Sequence, residues 1–358
     1  MMNKSMNTIS TLVFDWGNTL MRVFPDQTGP IVAWSKIAAV ESAHEMLSRI
    51  HGKYQLILAT NAADSTAVQV QKALERVGLD QYGFKIFTSH ELASRKPETQ
   101  FFQTIEELLH IEPQNVLMVG DDYRSDIFGA EQAGWHTAWF NNTFQPAPGH
   151  FPQCTTEIYM LDELPSAIEN LATLPNFSTC LLWLQRFNVS LGLFQHVNLV
   201  AAIAYQLALW LRARGVPVVP LLAHRGGLLH DLTKLAKEAF PDELDHGATA
   251  AQVLSEFGYP QLAEIALRHP LFCLADPERR PRGWEQKIVH LADKLAEGIS
   301  LVTIDHRLTS LASRYPQHAD RIASITPAVF DLQAEICDLL GLQPQSLPDR
   351  LQEAIYKK

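Results

Sequence analysis

Thr11–Leu20 reads TLVFDWGNTL, an apolar run that stops at the carboxylate of Asp15. A short apolar run bounded by turn residues has the pattern of a strand buried on both faces. The same figure recurs along the first half, at Gln55–Thr60, Lys85–Thr88, Val116–Gly120 and Thr137–Phe140. Between these runs lie segments of helical period: Ala33–Ile50, Ser65–Val77, Glu98–His110 and Arg124–Ala133. Strand–helix alternation predicts an α/β fold with a Rossmann-like parallel sheet and helices on both faces.

Asn141–Pro152 is rich in Asn, Pro and Gly and reads as a loop, and Glu157–Leu171 as a last strand and helix. Leu174-Pro175-Asn176 is the expected linker. Beyond it, Thr179–Lys358 is helical in period throughout, punctuated by Pro and Gly. Two domains follow, an α/β domain at 1–173 and an all-α bundle at 177–358.

Composition narrows the function. Hydrophobic residues are 47% and charged residues 19%, a balance of packed domains rather than disorder. A net charge of −10 argues against nucleic acid or an anionic membrane as partner. The four cysteines (Cys154, Cys180, Cys273, Cys337) form no CxxC pair and read as buried free thiols of a cytoplasmic protein. Met1–Ser10 has no apolar core and does not read as a signal peptide. The most apolar stretch, Leu199–Leu211, is shorter than the ~20 residues that span a bilayer and reads as a buried helix.

Four elements of the first half stand near predicted strand ends: Asp15, Thr60, Lys96 in SRKPETQFF, and the acidic group Asp121, Asp122 and Asp126. They are 45, 36 and 25 residues apart from Asp15 through to Asp121, yet strand ends of an open α/β sheet converge on one crevice. Their chemistry is coherent. A carboxylate such as Asp15 can attack phosphorus and split hydrolysis into two easier steps. Mg²⁺ held by Asp15 and Asp121 would offset the charge, with Lys96 and the Thr60 hydroxyl gripping phosphoryl oxygens.

In these contexts and this order, the four motifs resemble the haloacid dehalogenase-like (HAD) hydrolases over about 160 residues. The resemblance implies that Asp15 is the nucleophile, Thr60 and Lys96 bind phosphate, and Asp121 holds the metal. It also implies that Asp126 completes the acidic cluster and that the Gly17 carbonyl is a further ligand. One departure stands out: where such phosphatases carry a second aspartate two positions after the nucleophile, this chain has Gly17. A general acid contributes ~10²–10⁴-fold, so a slower enzyme, an acid from elsewhere, or a domain kept as a scaffold are the alternatives. About 40 residues separate Thr19 from Thr60, enough for a loop and one helix. An uncapped site is therefore expected, serving a large substrate or covered by the helical half.

The second half contains His196, the pair His230-Asp231 within GGLLHDLTKL, His246, His269 and Asp293. Two polar residues interrupting an apolar stripe need a shared partner, because burying them unpaired is costly. A metal is the economical one, and imidazole with carboxylate suits Mn, Fe, Co, Ni or Zn better than Mg or Ca. His196 is expected to open a helix at Gln195–Arg214 and His269 to close another.

The series resembles the HD-domain metal-dependent phosphohydrolases over residues 190–310, including members with two-metal centres. The resemblance implies that His196, His230, Asp231 and Asp293 hold a first metal, with Asp231 able to bridge. His246 and His269 would serve a second metal or the phosphate, and Lys234 would face the phosphate. One or two transition ions such as Mn²⁺ or Fe are the implied cofactors. His224 and His290 read as structural histidines. His44, His51, His90, His110, His136, His150, His306 and His318 read as solvated or locally bonded.

The expected function is a bifunctional phosphohydrolase acting on nucleotides or other small phosphorylated metabolites, compatible with a homodimer. Two alternatives stand beside it: an HD hydrolase regulated by a degenerate HAD-like domain, and nucleic-acid end processing, which the charge of −10 disfavours.

Overall fold

A computed structural model describes residues 9–236, 240 and 245–356, so most of the Met1–Ser10 reading lies outside the described residues. The chain divides into two compact units, 1–143 with 153–173, and 144–152 with 174–358.

The first unit is the expected α/β fold. Its elements are β1 (Thr11–Phe14), α1 (Ala43–Ile50), β2 (Gln55–Thr60), α2 (Ala67–Val77), β3 (Lys85–Thr88), α3 (Ser89–Leu92), α4 (Thr99–Leu109) and β4 (Val116–Gly120). A π-helical turn at Tyr123–Phe128 follows, then α5 (Gly129–Gln132), β5 (His136–Phe140), β6 (Thr156–Ile158) and α6 (Leu164–Glu169). The six strands form one sheet in the order β3-β2-β1-β4-β5-β6, every pairing parallel.

The two-residue period of a strand sorts its side chains between two cores. Leu12 and Phe14 of β1, Leu56 and Leu58 of β2, and Leu117 and Val119 of β4 pack with Met46 and Leu47 of α1 and Leu74 of α2. Val13, Ile57, Ala59 and Met118, one residue out of phase, pack with Phe101, Phe102 and Ile105 of α4. A sheet covered on both faces leaves only its strand ends open to a substrate.

The helix expected at Ala33–Ile50 begins instead at Ala43. Upstream, the backbone pairs with the strand-exit loop: Arg22 N–H donates to Ala38 O and Val40 N–H to Leu20 O, each at 2.9 Å. The Ala38 carbonyl and the Val40 N–H are thereby diverted from any helical ladder, and Ile31–Ala33 makes only a 3₁₀ turn. Among the described residues, no separate domain stands between Thr19 and Thr60.

The second unit is helical, with α7 (Phe177–Arg186), α8 (Leu191–Ala213), α9 (Pro220–Leu229), α10 (His246–Glu256), α11 (Pro260–Arg268) and α12 (Trp284–Lys294). After a short hairpin of β7 (Ala296–Glu297) and β8 (Ser300–Leu301) come α13 (Ile304–Arg314), α14 (Ala319–Leu340) and α15 (Leu347–Tyr356). α8 has 23 residues, longer than the stretch read from sequence, and starts at Leu191, so His196 lies in its second turn. It is long and apolar enough to cross a membrane, yet it is the core helix here, with 67% of its most apolar window buried. Gly227 lets α9 approach it: a Cβ there would stand 2.8 Å from the Ala201 backbone.

All four cysteines are buried and none is in a disulfide. His150, expected to be solvated or locally bonded, is buried and pairs with Gln206 of α8 at 2.8 Å. His224 and Arg225 are fully buried beside it, and the Arg225 guanidinium donates to Pro152 O, Pro175 O and His224 Nδ1.

Candidate functional site

At the carboxyl ends of β1, β2 and β4, the first unit gathers Asp15, Thr60 and the acidic group. Asp15 follows β1 directly, and its N–H continues the ladder to Val119 O at 2.9 Å. Lys96, buried at 2% exposure, reaches in from the loop before α4. Its Nζ donates at 2.6 Å to Asp15 Oδ1 and at 2.6 Å to Asp126 Oδ1. Burial alone would lower this amine; the two carboxylates outweigh it and hold Lys96 above its ordinary range.

Asp126 sits in the π-helical turn, where its Oδ2 accepts from Asp122 N at 3.1 Å. Burial pushes it up to about 8, with Lys96 opposing and Asp15 adding repulsion. It lies close against β4: a Cβ on Gly120 would fall 2.2 Å from Asp126 Oδ2, so only glycine fits that strand end. Asp121 is pushed up to about 6, first by burial and then by Asp15. Oxygens of Asp15, Asp121 and Asp126 come within 4.8 Å of one another. Three converging carboxylates, with Asp121 and Asp126 pushed up as described, are short of positive charge, and hard oxygen donors suit Mg²⁺.

Thr60 is buried at the end of β2, its Oγ1 accepting from Ala62 N at 3.3 Å. Gly17 lies in the half-buried turn after Asp15, where Asn18 adopts a left-handed conformation (φ 56°). Two residues that sequence reasoning left out complete this site. Thr19, fully buried, exchanges hydrogen bonds with Asp121. Asn61 clamps the Lys96 backbone, donating to its carbonyl at 2.9 Å and accepting from its N–H at 2.8 Å. Asn61 follows Thr60 in the LATNA run, a signal present in the sequence but silent until the loop bearing Lys96 is placed beside it.

In the second unit, five helix segments deliver the His/Asp series. His196 comes from α8; His230 and Asp231 from the end of α9; His246 opens α10; His269 caps α11; and Asp293 is the penultimate residue of α12. Two groups of ligand atoms form, His196 with His230 and Asp231, and Asp231 with His246 and His269, each within 4.8 Å. Asp231 belongs to both. Asp293 joins through Oδ1, 3.0 Å from His196 Nε2 and 3.8 Å from His230 Nε2.

Tautomers follow from the backbone. His230 Nδ1 lies 2.7 Å from Gly227 O and His269 Nδ1 2.7 Å from Ala266 O. A carbonyl can only accept, so both Nδ1 atoms carry the hydrogen and both Nε2 atoms turn inward. His269 is pushed down to about 3, by burial first, and stays neutral. Its bare Nε2 therefore faces Asp231 Oδ1 at 3.3 Å and His246 Nε2 at 3.1 Å. His230 Nε2 and Asp231 Oδ1 are buried with no hydrogen-bond partner. Lone pairs confronting one another need a cation, and this imidazole–carboxylate set fits a transition metal. Burial would lower His230 and raise Asp231, but their mutual attraction wins: His230 is held above its usual range and Asp231 well below.

Lys234 bonds Asp231 Oδ2 at 2.5 Å and remains partly exposed. Lys294, which sequence reasoning passed over, is buried and donates to Asp293 Oδ2 and, at 3.1 Å, to His269 O. His290 is fully buried, with Nδ1 on Arg268 O at 3.1 Å.

A parallel sheet with an acidic strand-end cluster, and a helical unit with a His/Asp centre, define a chain of two hydrolase-type folds. Residues 17–134 match the haloacid dehalogenase-like hydrolase family and residues 193–298 match the HD domain, so the chain joins a HAD-like hydrolase to an HD domain.

Among curated relatives, a pyrimidine 5'-nucleotidase of Streptococcus pneumoniae is 31% identical over 137 residues, covering 36% of this chain and 54% of its own. A pyrimidine 5'-nucleotidase of Escherichia coli (strain K12) is 34% identical, covering 34% of this chain and 54% of its own. An uncharacterized protein of Methanocaldococcus jannaschii is 31% identical, covering 37% of this chain and 82% of its own. The chain thus spans about half the length of the two nucleotidases.

Proposed function

We propose that this chain is a bifunctional phosphohydrolase: an HD centre that cleaves phosphodiester or phosphoanhydride bonds, and a HAD-like site that cleaves phosphomonoesters. Nucleotides are the favoured substrates, because two relatives of the chain are named pyrimidine 5'-nucleotidases.

One observation carries the HD assignment. Asp231 Oδ1 is buried without a hydrogen-bond donor while the Nε2 atoms of His269 and His246 face it at 3.3 and 3.5 Å. His196, His230, Asp231 and Asp293 would hold one divalent ion, and His246 and His269, with Asp231 bridging, a second. Such ions supply charge neutralisation and activation of water. The protein orients its imidazoles through the Gly227 and Ala266 carbonyls and keeps Asp293 in place through His196 and Lys294. Lys234, at the rim of the same cluster, binds a phosphoryl oxygen.

At the HAD-like site, an oxygen of Asp15 attacks phosphorus. A P–O bond forms to the carboxylate as the bond to the leaving oxygen breaks, and water then releases phosphate. Asp121, Asp126 and the Gly17 carbonyl would hold Mg²⁺, which offsets the charge of attack. Lys96 holds Asp15 in line and takes a phosphoryl oxygen, as does the Thr60 hydroxyl. Gly17 provides no acid, so the leaving oxygen takes its proton from solvent. A second reading rests on that glycine: a HAD-like half that senses phosphate and regulates the HD half.

The test is turnover of diadenosine polyphosphates, cyclic nucleotides and monoesters by purified protein with Mg²⁺, Mn²⁺ or Fe²⁺. Asp231→Ala should abolish the first two activities and Asp15→Ala only the last. Absence of turnover in wild type with every substrate and metal sinks the proposal.

A further inference from the structure

A cavity of about 700 Å³ adjoins the HD cluster, with His246, His269 and Asp293 in its lining. Three cations, Lys234, Lys294 and Arg307, line the same cavity. Lys234 is paired with Asp231 and Lys294 with Asp293. Arg307 differs. It projects from α13 and is 9% exposed, and its Nε is buried with no hydrogen-bond partner. Among the described residues its nearest carboxylate is Glu297, with Oε1 3.7 Å from Nη1, beyond hydrogen-bond reach. The Glu297 oxygens are engaged elsewhere, by Ser310 at 2.5 Å, His306 at 2.9 Å and Arg314.

A buried guanidinium whose one ion pair is beyond hydrogen-bond reach, to a carboxylate shared with other donors, is costly unless an anion completes it. Its planar fork matches two oxygens of a phosphoryl group, and a low-dielectric wall strengthens the contact. We propose that Arg307 receives a second phosphoryl group, next to the one at the metal cluster. The cavity would then select compounds with two or more linked phosphoryl groups over monoesters. The inference rests on the HD half being a phosphohydrolase and names its substrate class.

The test is calorimetric titration of the full-length protein with methylenediphosphonate, which cannot be hydrolysed at its bridge, and with inorganic phosphate. Mn²⁺-loaded and EDTA-treated samples are run in parallel, so that the contribution of Arg307 is read with and without metal. Arg307→Gln should weaken methylenediphosphonate about 10- to 100-fold, the range of a lost charge-assisted contact, and phosphate less than about 3-fold. Arg307→Lys should fall between wild type and Arg307→Gln. Equal losses for both anions, or no loss, overturn the proposal. If Arg307→Gln fails to fold by circular dichroism, Arg307→Lys decides, and an unchanged ratio of the two affinities counts against the role. Turnover surviving in Asp231→Ala refutes the catalytic reading, and with it the substrate class, whereas the titrations alone decide whether Arg307 binds a second phosphoryl group, so the two failures are told apart.

Discussion

Thr19 and Asp121 lock one another: the Thr19 hydroxyl donates to Asp121 Oδ1 at 3.0 Å while the Asp121 N–H donates back to Thr19 Oγ1 at 3.1 Å. The pair joins the turn after β1 to the end of β4, and it aims one carboxylate oxygen while leaving the other for the acidic cluster. The residue that fixes the geometry is a threonine 102 positions away in sequence.

Thr19→Val keeps the shape and removes both bonds. Partners of metal-ligating carboxylates typically affect affinity 10–100-fold, so Mg²⁺ binding at the HAD-like site should weaken by about that factor. Calorimetric Mg²⁺ titration reads it, and an unaltered affinity shows that Asp121 is not held for a cation.

Gly17→Asp restores the carboxylate that the turn lacks. The new Cβ meets Val23 Cγ2 at 3.2 Å, and Val23 is 43% exposed and free to yield. Turnover of nucleoside monophosphates should rise about 10- to 100-fold, the lower part of the general-acid range. p-Nitrophenyl phosphate, whose leaving group needs no proton, should change little. An equal rise for both esters would point to something other than acid catalysis.

Chelation should unmask the HD centre as a stability element. Ligands that bind only the folded state stabilise it by about 2.7 kcal/mol at a hundredfold excess over Kd. Mn²⁺ added to EDTA-stripped protein should therefore raise the unfolding temperature, and Asp231→Ala should remove the increment. A Tm of the stripped protein indifferent to metal contradicts the ligand assignment.

His290 makes stability depend on pH. Burial first, then Lys294, pushes it down to about 3, against about 6.5 for an unfolded histidine. As pH falls, the unfolded chain takes the proton first, so stability is complete above about 6.5 and is lost between there and 3. The slope from this residue is at most about 1.4 kcal/mol per pH unit. In EDTA, urea midpoints of wild type should fall from pH 7 to pH 5 more steeply than those of His290→Asn. Parallel slopes would refute the assignment.

Much of the fold was legible because it is written in local periods. Unbroken apolar runs at Leu12–Phe14 and Leu56–Ala59 mark strands coated on both faces, and the helical period after Thr179 marks a bundle. Legibility failed where distant backbone competes for the same hydrogen-bonding groups: the Ala38 carbonyl accepts from Arg22, the Val40 N–H donates to Leu20, and the helix read from Ala33 starts at Ala43. It failed again at His150, whose partner Gln206 lies 56 residues away.

The sequence by itself determined the two fold types and the set of ionisable groups, because periodicity, polar residues in apolar runs and ordered motifs are properties of the chain. Tertiary structure alone decided which atoms face one another. It set Lys96 between Asp15 and Asp126, turned the Nε2 atoms of His230 and His269 inward, and left Arg307 lining a cavity with Glu297 beyond hydrogen-bond reach. Those outcomes depend on where separate helices and strands end in space, and on which carboxylates are already taken. No spacing along the chain encodes that competition.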